Sequence, residues 1–217
     1  MHMRPGLFVT AFACCFPTVS AVAHPHVFVT ASVTVVYADG VPTAVELSWL
    51  YDDYFSLLLT SDLGIDLDGD LVLTPEEEAI LAQAVTEWPA DFNGDLEVMQ
   101  NDEVITLLPK QDHRMVFENG LVREVHSRPL DPDLTDDPLT VRVYDPFYYV
   151  AYDLVEPVNI TGTDQCSSAV TPPDLHNAYA LVEELLYGRP ASDVGPDEEF
   201  PAVGVEFAAT ITITCDA

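Results

Sequence analysis

Residues 66–77 have the side-chain types and spacing of a calcium-binding loop. Calcium takes roughly six to eight oxygen ligands, and a loop of about twelve residues supplies them from positions 1, 3, 5, 7, 9 and 12. The residues at these positions are Asp66, Asp68, Asp70, Val72 (through its carbonyl), Thr74 and Glu77. Leu71 stands where glycine normally adopts a positive φ, at a cost on the order of 1 kcal/mol, so we expect weak calcium affinity. The alternative interpretation is an acidic, capped turn before a helix.

A second group of potential ligands is the sequence His24-Pro25-His26. If the mature chain begins at His24, its α-amine, with a pKa of about 8, and its imidazole form one chelate suited to Cu(II), Ni(II) or Zn(II). Pro25 has no amide proton, which excludes a square-planar site built from deprotonated backbone amides. Any further ligand must be a side chain, and the candidates are His26, His113, His126 and His176. The alternative is that these residues only form the polar start of the first strand.

The chain begins with the three parts of a secretory signal peptide. Arg4 forms a short basic region, residues 7–16 are apolar but too few to span a bilayer, and residues 21–23 form a small-x-small cleavage pattern. We therefore expect a signal peptide over residues 1–23 and a single mature periplasmic domain over residues 24–217. A lipoprotein signal at Cys14 is the alternative.

The amino-acid composition limits the classes of molecule that this protein can bind. Removing Arg4 with the signal leaves six basic residues against 37 acids, a formal charge of −31. Such a chain lacks the basic surface that nucleic acid or an anionic membrane requires, and it attracts cations or tolerates salt. No segment after the signal is long and apolar enough for membrane insertion. Hydrolase and nucleotide-binding signatures such as GxSxG, GxGxxG and HExxH do not occur in the sequence, so we expect no enzymatic activity.

Two cysteines, Cys166 and Cys215, remain after removal of the signal. In an oxidising compartment a lone pair most simply forms a disulfide, and closing a loop of about 50 residues contributes roughly 4 kcal/mol. A metal-binding or redox pair is the alternative, but no CxxC spacing supports it.

Hydrophobic periodicity predicts the elements that must position these residues. Alternation over residues 27–37 and 43–50 indicates a hairpin with Val27, Val29, Ala31, Val33 and Val35 on one face. A helix over residues 51–63 should turn Tyr54, Phe55, Leu58 and Leu59 to one side, and a second helix should run from Thr74 past Val85 until Pro89. Further strands are predicted at 96–99, 104–108, 114–118, 121–127, 139–144, 148–152 and 203–215, with a helix at 174–187 and a linker at 188–201. Two aromatic–acid motifs, Tyr51–Tyr54 and Tyr144–Tyr149, are interpreted as a helix N-cap and a strand-flanking turn.

The predicted fold class is α+β. Mostly antiparallel strands form a sandwich-like domain, with a helix–acidic loop–helix insertion at about residues 51–88 and one later helix.

These motifs together resemble a bacterial periplasmic family of unknown function, whose members are often labelled the periplasmic component of an uncharacterised ABC-type transport system. The likeness is carried by residues 24–28, 49–55, 66–77 and 143–149 and by the closing strand that ends in Cys215. Loops of this family usually have glycine where Leu71 stands. Members are often found beside transition-metal permeases, which implies handling of nickel, cobalt, zinc or a similar ion, with an inner-membrane metal permease or ABC transporter as partner. No established enzymatic activity comes with the resemblance.

Three functions compete at this point. The first is a periplasmic metal-handling or transport-accessory protein for a divalent transition metal, with calcium as a structural ion. The second is a calcium-stabilised periplasmic interaction module in which His24 and His26 have no metal role. The third, a copper enzyme built on the amine-bound histidine, would need a second placed histidine.

Overall fold

The computed structural model describes residues 25–84, 88–89, 92–189, 194 and 200–216. The predicted signal peptide, His24, Val85 and most of the predicted 188–201 linker lie outside these ranges. The strands are β1 (Val27–Ala38), β2 (Val41–Tyr51), β3 (Leu96–Gln100), β4 (Glu103–Val104), β5 (Gln111–Glu118), β6 (Leu121–Pro129), β7 (Leu139–Val143), β8 (Val150–Leu154), β9 (Asn159–Thr161), β10 (Cys166–Thr171) and β11 (Thr210–Cys215). The helices are α1 (Asp53–Leu63), α2 (Pro75–Gln83) and α3 (Leu175–Leu185), and Gly204–Phe207 forms a 3-10 turn.

The first sheet is built on the predicted hairpin. β1 and β2 pair antiparallel, and the inward residues of β1 are the ones that the alternation predicts. The strand order is β5-β6-β2-β1-β8, with β9 also beside β1. β8 and β9 run parallel to β1, while the other pairs of this sheet are antiparallel.

The second sheet has the order β10-β11-β7-β3-β4, and all of its pairs are antiparallel. Buried residues of both sheets form one apolar cluster, with Val33 and Leu47 from the first and Val98, Val141 and Ile213 from the second. The two sheets therefore face each other across a shared core, and the predicted α+β, sandwich-like class is confirmed.

The two helices of the acidic insertion are held by their caps. Asp52 accepts a hydrogen bond from the Phe55 amide at the start of α1, and Gly64 ends that helix with φ +68°. Thr74 and Glu77 form a capping box at the start of α2, as the Thr-Pro-Glu-Glu sequence predicts.

The predicted face of α1 was only partly right: Phe55 and Leu59 pack against buried clusters, but Tyr54 and Leu58 do not share that burial. Tyr54 is 70% exposed and Leu58 is 46% exposed, whereas Ser56 and Thr60 are buried. The reason is that both hydroxyls find acceptors in the backbone: Ser56 Oγ donates to Tyr51 O, and Thr60 Oγ1 donates to Ser56 O at 3.0 Å. Because the Ser56 and Thr60 side chains are small and their hydroxyls are hydrogen-bonded, α1 can lie close to the start of β6.

Several strand boundaries also differ from the predictions. Residues 203–207 are not strand, because the segment turns into the 3-10 helix before β11 begins at Thr210. The predicted strand at 104–108 is reduced to β4 and an isolated bridge between Leu107 and Leu130. β9 and β10 were not predicted, since β9 is only three residues long and Ser or Thr occupies half of β10, which leaves a weak apolar pattern. On α3, Ala178 and Val182 are buried as predicted, but Leu175 and Leu185 are about half exposed.

Cys166 and Cys215 form the predicted disulfide. They stand directly opposite each other at the ends of β10 and β11, so the bond fixes the edge of the second sheet. Within the described residues, no helix is both long and apolar enough to span a membrane.

The contact between α1 and β6 generates a stability prediction. The Val122 amide donates a buried hydrogen bond of 3.0 Å to Ser56 Oγ. Ser56→Ala removes that acceptor, and leaving a buried N–H unsatisfied should lower the free energy of unfolding by about 1–3 kcal/mol. Ser61→Ala, on the exposed side of the same helix, should change it by less than about 0.5 kcal/mol. Urea unfolding that gives both variants equal stability would contradict this account of helix docking.

Candidate metal centres

The acidic loop brings three of its predicted calcium ligands together. Carboxylate oxygens of Asp66, Asp68 and Asp70 lie within 4.8 Å of one another. Leu71 adopts φ +63°, the left-handed conformation that the loop spacing requires at this position. The Leu71 amide donates to Asp66 Oδ1 at 3.1 Å, and the Val72 amide donates to Asp70 Oδ1 at 2.9 Å.

Glu77 stands apart from this group of three. Its Oε1 accepts from the Asp66 amide at 2.9 Å, and its Oε2 accepts from both the amide and the hydroxyl of Thr74. The hydrogen bonds from Thr74, followed by that from Asp66, lower the pKa of the Glu77 carboxyl. Glu77 thus closes the loop by capping α2, and the loop ends are joined through its side chain.

A second cluster lies on the inner face of β6, in the interior of the domain. Alternation along this strand turns Val122, Glu124, His126 and Arg128 inward, and all four are buried. The His126 ring packs edge-on between Trp49 and Trp88, with centroid distances of 4.6 and 4.8 Å.

Glu124 joins the polar members of this cluster. Its Oε1 lies 3.0 Å from His113 Nε2 and 3.9 Å from His126 Nδ1, and its Oε2 accepts a 2.8 Å hydrogen bond from the Tyr51 hydroxyl. His113 reaches Glu124 because the pairing of β5 with β6 shifts register between Gln111 and Arg114, and Asp112 there has φ +53°. An irregularity of this kind re-aims a side chain that regular pairing would direct elsewhere.

His126 has no hydrogen-bond partner on either ring nitrogen among the residues that the structure describes. Desolvation, followed by the charges of His113, Arg128 and Lys110, lowers the pKa of His126 to about 3. The ring is therefore neutral at physiological pH, with a lone pair on one nitrogen. The same interior raises the pKa of Tyr51, through burial and the nearby Glu124, so the phenol stays protonated and donates to the carboxylate.

Two cations border the cluster, and both have other contacts. The Arg128 guanidinium donates to the carbonyls of Leu108 at 3.0 Å and Asn93 at 2.6 Å. The Lys110 ammonium lies 4.2 Å from the centre of the Trp88 ring.

Deeper in the core, Tyr152 donates to Asp95 at 2.7 Å, and burial raises the pKa of Asp95 to about 7.

Two imidazoles and one carboxylate are a donor set that suits zinc and other borderline divalent ions. His113, Glu124 and His126 have these side-chain types, and Tyr51 hydrogen-bonds the carboxylate. Among the described residues, however, only Asp66, Asp68 and Asp70 hold three ligand atoms within 4.8 Å of one another.

Residues 9–215 match the family described as protein of unknown function DUF1007. The chain belongs to this family. A comparison with curated proteins gave no match.

In this DUF1007 protein the predicted histidine ligands do not form one site. His26 is exposed, its amide donates to Tyr149 O at 2.8 Å, and its ring centre lies 4.7 Å from that of Tyr149. His126 lies opposite Leu47 of β2, and Leu47 lies opposite Val33 of β1. Val33 comes seven residues after His26. At roughly 3.3 Å per residue, the two histidines are therefore about 23 Å apart along the strand direction. His176 is exposed on α3, and His24 lies outside the described residues.

Sequence reasoning had named His113 and His126 as possible ligands but missed Glu124 as the residue that links them. The available signal was its place in β6, where a carboxylate and an imidazole occupy positions that alternation assigns to the core. The two aromatic–acid motifs have the structural roles expected of them. Asp52 caps α1, and the Asp145 carboxylate accepts from the amides of Phe147, Tyr149 and Val150 in a turn.

The depressed pKa of His126 predicts a pH dependence for the stability of this DUF1007 member. The unfolded chain protonates the ring near pH 6.5, but the folded chain does so only near pH 3. The stabilising contribution is therefore complete above pH 6.5 and is lost as the pH falls toward 3, at up to about 1.4 kcal/mol per pH unit. His126→Leu should remove this slope.

Urea unfolding at several pH values between 4 and 7 measures the difference. The raised pKa of Asp95 gives an opposite slope, with stability falling as the pH rises toward 7, but it acts in both proteins and cancels in the comparison. His176→Gln, at the exposed histidine, should follow the wild type. A difference between wild type and His126→Leu that stays constant over this range would show that His126 titrates normally.

Proposed function

We propose that this protein is a periplasmic metal-handling or transport-accessory protein for a divalent transition metal. The observation that carries the proposal is the buried, neutral His126 ring. It lies 3.9 Å from Glu124, which also contacts His113, and neither of its nitrogens has a hydrogen-bond partner in the described part of the chain. A buried polar nitrogen without a partner costs about 1–3 kcal/mol. A metal ion would use that nitrogen as a ligand and recover this cost.

Charges of both signs act on an ion in the interior, because the Arg128 and Lys110 charges that lower the pKa of His126 also oppose a cation there. Glu124 supplies one negative charge, and the Arg128 guanidinium is held by backbone carbonyls beside it. The folded His126 ring stays neutral down to about pH 3, so an ion bound to it at neutral pH would displace no proton from this ring. The hydrogen bond between His113 and Glu124 would be exchanged for two metal–ligand bonds.

The N-terminal chelate is part of the same proposal. His24 would bind through its amine and ring, helped by His26, at a site separate from the interior cluster. Nickel, cobalt, zinc and copper are the ions that these nitrogen ligands suit. The formal charge of −31 expected for the mature chain raises the local concentration of any cation. The signal-like N-terminus and the family resemblance support two further parts of the proposal. One is export to the periplasm, and the other is an inner-membrane permease or ABC transporter as partner.

We also propose calcium as a structural ion in the acidic loop. The grouped carboxylates of Asp66, Asp68 and Asp70 and the left-handed Leu71 support it. If no transition metal binds, the same loop supports the alternative function, a calcium-stabilised periplasmic interaction module.

The transition-metal proposal predicts which changes weaken binding. Untagged mature protein, stripped with a chelator, is titrated with Zn(II) and Ni(II) against a chromophoric competitor. His126→Leu and Glu124→Gln should weaken the interior site at least tenfold, since each removes one ligand. One extra residue before His24 should weaken the N-terminal site at least tenfold, because the new amine no longer forms a chelate with that ring.

His176→Gln is the control and should leave both affinities unchanged. Wild-type protein that binds no ion, or binding that none of the three changes weakens, would reject the metal-handling function and favour the interaction module.

The calcium proposal is tested by melting temperature with and without calcium. Calcium should stabilise the wild type, and Asp68→Asn should abolish the rise without touching the capping box. Glu77→Ala should abolish it as well, although this variant also loses the cap of α2. Leu71→Gly should tighten binding by about tenfold, or about 1.4 kcal/mol, because glycine adopts a positive φ without strain.

Glu78→Ala, at an exposed acid in the same turn of α2, should retain the full calcium response. If calcium shifts none of these proteins, the loop is an acidic capped turn only.

A further inference from the structure

A groove with a volume of about 590 Å3 lies along the outer face of the first sheet and continues around its β8 edge, where it also reaches Val29, Tyr152 and Val170 of the shared core. Its floor contains outward-facing residues of four neighbouring strands: Leu121 of β6, Leu50 of β2, Thr30 of β1 and Asp153 of β8. Three strand spacings of about 4.8 Å make this floor roughly 14 Å long. This length is measured across the strands. Along β8, residues 151–154 line the groove, and an extended segment of about four residues, roughly 13 Å at 3.3 Å per residue, can lie beside them.

The walls of the groove are apolar and partly aromatic. Phe28 is 55% exposed and Leu175 is 49% exposed, and both line it together with Tyr148, Phe207, Pro172 and Pro173. The Tyr148 and Phe207 rings stack with centroids 3.8 Å apart, so this wall is rigid. Exposed apolar surface of this kind, in a concave site, is typical of a binding groove.

The charged residues of the groove all have the same sign. Asp52, Asp153 and Glu156 line it, and no lysine, arginine or histidine is among the described lining residues. Asp52 is occupied by the amides of Phe55 and Phe28. Asp153 and Glu156 are exposed, and neither forms an ion pair with a described residue. The groove is therefore complementary to a ligand that is both apolar and cationic.

The edge of β8 favours an extended ligand. In the described ranges β8 pairs only with β1, which leaves its other edge open. Four consecutive residues, 151–154, line the groove although their side chains alternate between the two faces of the sheet. The groove must therefore reach the backbone at that edge, where an added segment can form main-chain hydrogen bonds.

We infer that this groove binds an extended segment of a partner protein in which a lysine or arginine lies between apolar residues. The apolar side chains pack against Phe28, Leu175 and the Tyr148–Phe207 stack. The basic side chain lays its stem along the apolar wall and places its charge at Asp153 or Glu156. This inference does not depend on a bound metal, because Phe28, Leu175, Asp153 and Glu156 are not part of the interior cluster. Tyr51 both lines the groove and donates to Glu124.

The probe is an acetylated, fluorescently labelled hexapeptide that alternates leucine and lysine, titrated into the mature protein and followed by polarisation. Asp153→Lys, on the outer face of an edge strand, should weaken binding at least tenfold. Leu175→Ser, at an exposed position of α3, should weaken it at least fivefold. Asp136→Lys makes the same change of charge at an exposed loop position outside the groove and should reduce affinity less than twofold.

Two further peptides separate the groove from general attraction to an acidic protein. Replacing leucine by serine keeps the charge and should lose the binding, and replacing lysine by glutamate should lose it too. Equal effects of Asp153→Lys and Asp136→Lys, or equal binding of the serine and leucine peptides, would overturn the inference. So would the absence of measurable binding by wild-type protein. Zinc affinity of Asp153→Lys should match that of the wild type, which separates this result from the metal-handling proposal.

Discussion

The carboxylate of Glu124 lies in the interior of a sandwich whose other inward positions are mostly apolar, and much of the surrounding structure meets that constraint. A buried carboxylate is strongly unfavourable unless it is paired and hydrogen-bonded. Tyr51 satisfies one oxygen from the end of β2, and the irregular start of β5 turns His113 toward the other. The Trp88 ring then covers His126, and the carbonyls of Asn93 and Leu108 hold Arg128. Elements far apart in sequence are thus tied to the inner face of one strand.

Prediction from the sequence was best where a single physical rule decides the outcome. The alternating valines of β1 specify a half-buried strand whatever lies beside it, and Thr74 with Glu77 forms a cap from local geometry alone. The prediction failed where contacts with residues distant in the sequence determine the local structure. On α1 the sequence placed Tyr54 and Leu58 on the packed face and missed Ser56, which is buried because it accepts from a β6 amide, a contact that no local pattern shows. β10 was missed because its place depends on pairing with β11.

The candidate sites divide in the same way. The acidic loop is a local motif, so its spacing was enough to predict both the grouped aspartates and the left-handed Leu71. Glu77 shows the limit of spacing, because the same residue that could bind calcium is the one that best caps α2. The interior cluster is a long-range arrangement. The register between β2 and β6 sets Glu124 opposite Trp49, and a slip of one residue would turn Glu124 and His126 to the solvent face.

The first sheet connects the two proposed activities through the period of two along its strands. Tyr51 turns inward to Glu124, while Asp52, the next residue, faces the groove and caps α1. Tyr152 turns inward to Asp95, and Asp153 faces outward into the groove. Two core hydrogen bonds, one to Glu124 and one to Asp95, are therefore made by residues whose next neighbours in the chain are carboxylates of the groove. The alternation of β2 and β8 thus lets one sheet carry buried polar pairs on one face and an acidic groove on the other without any change of register.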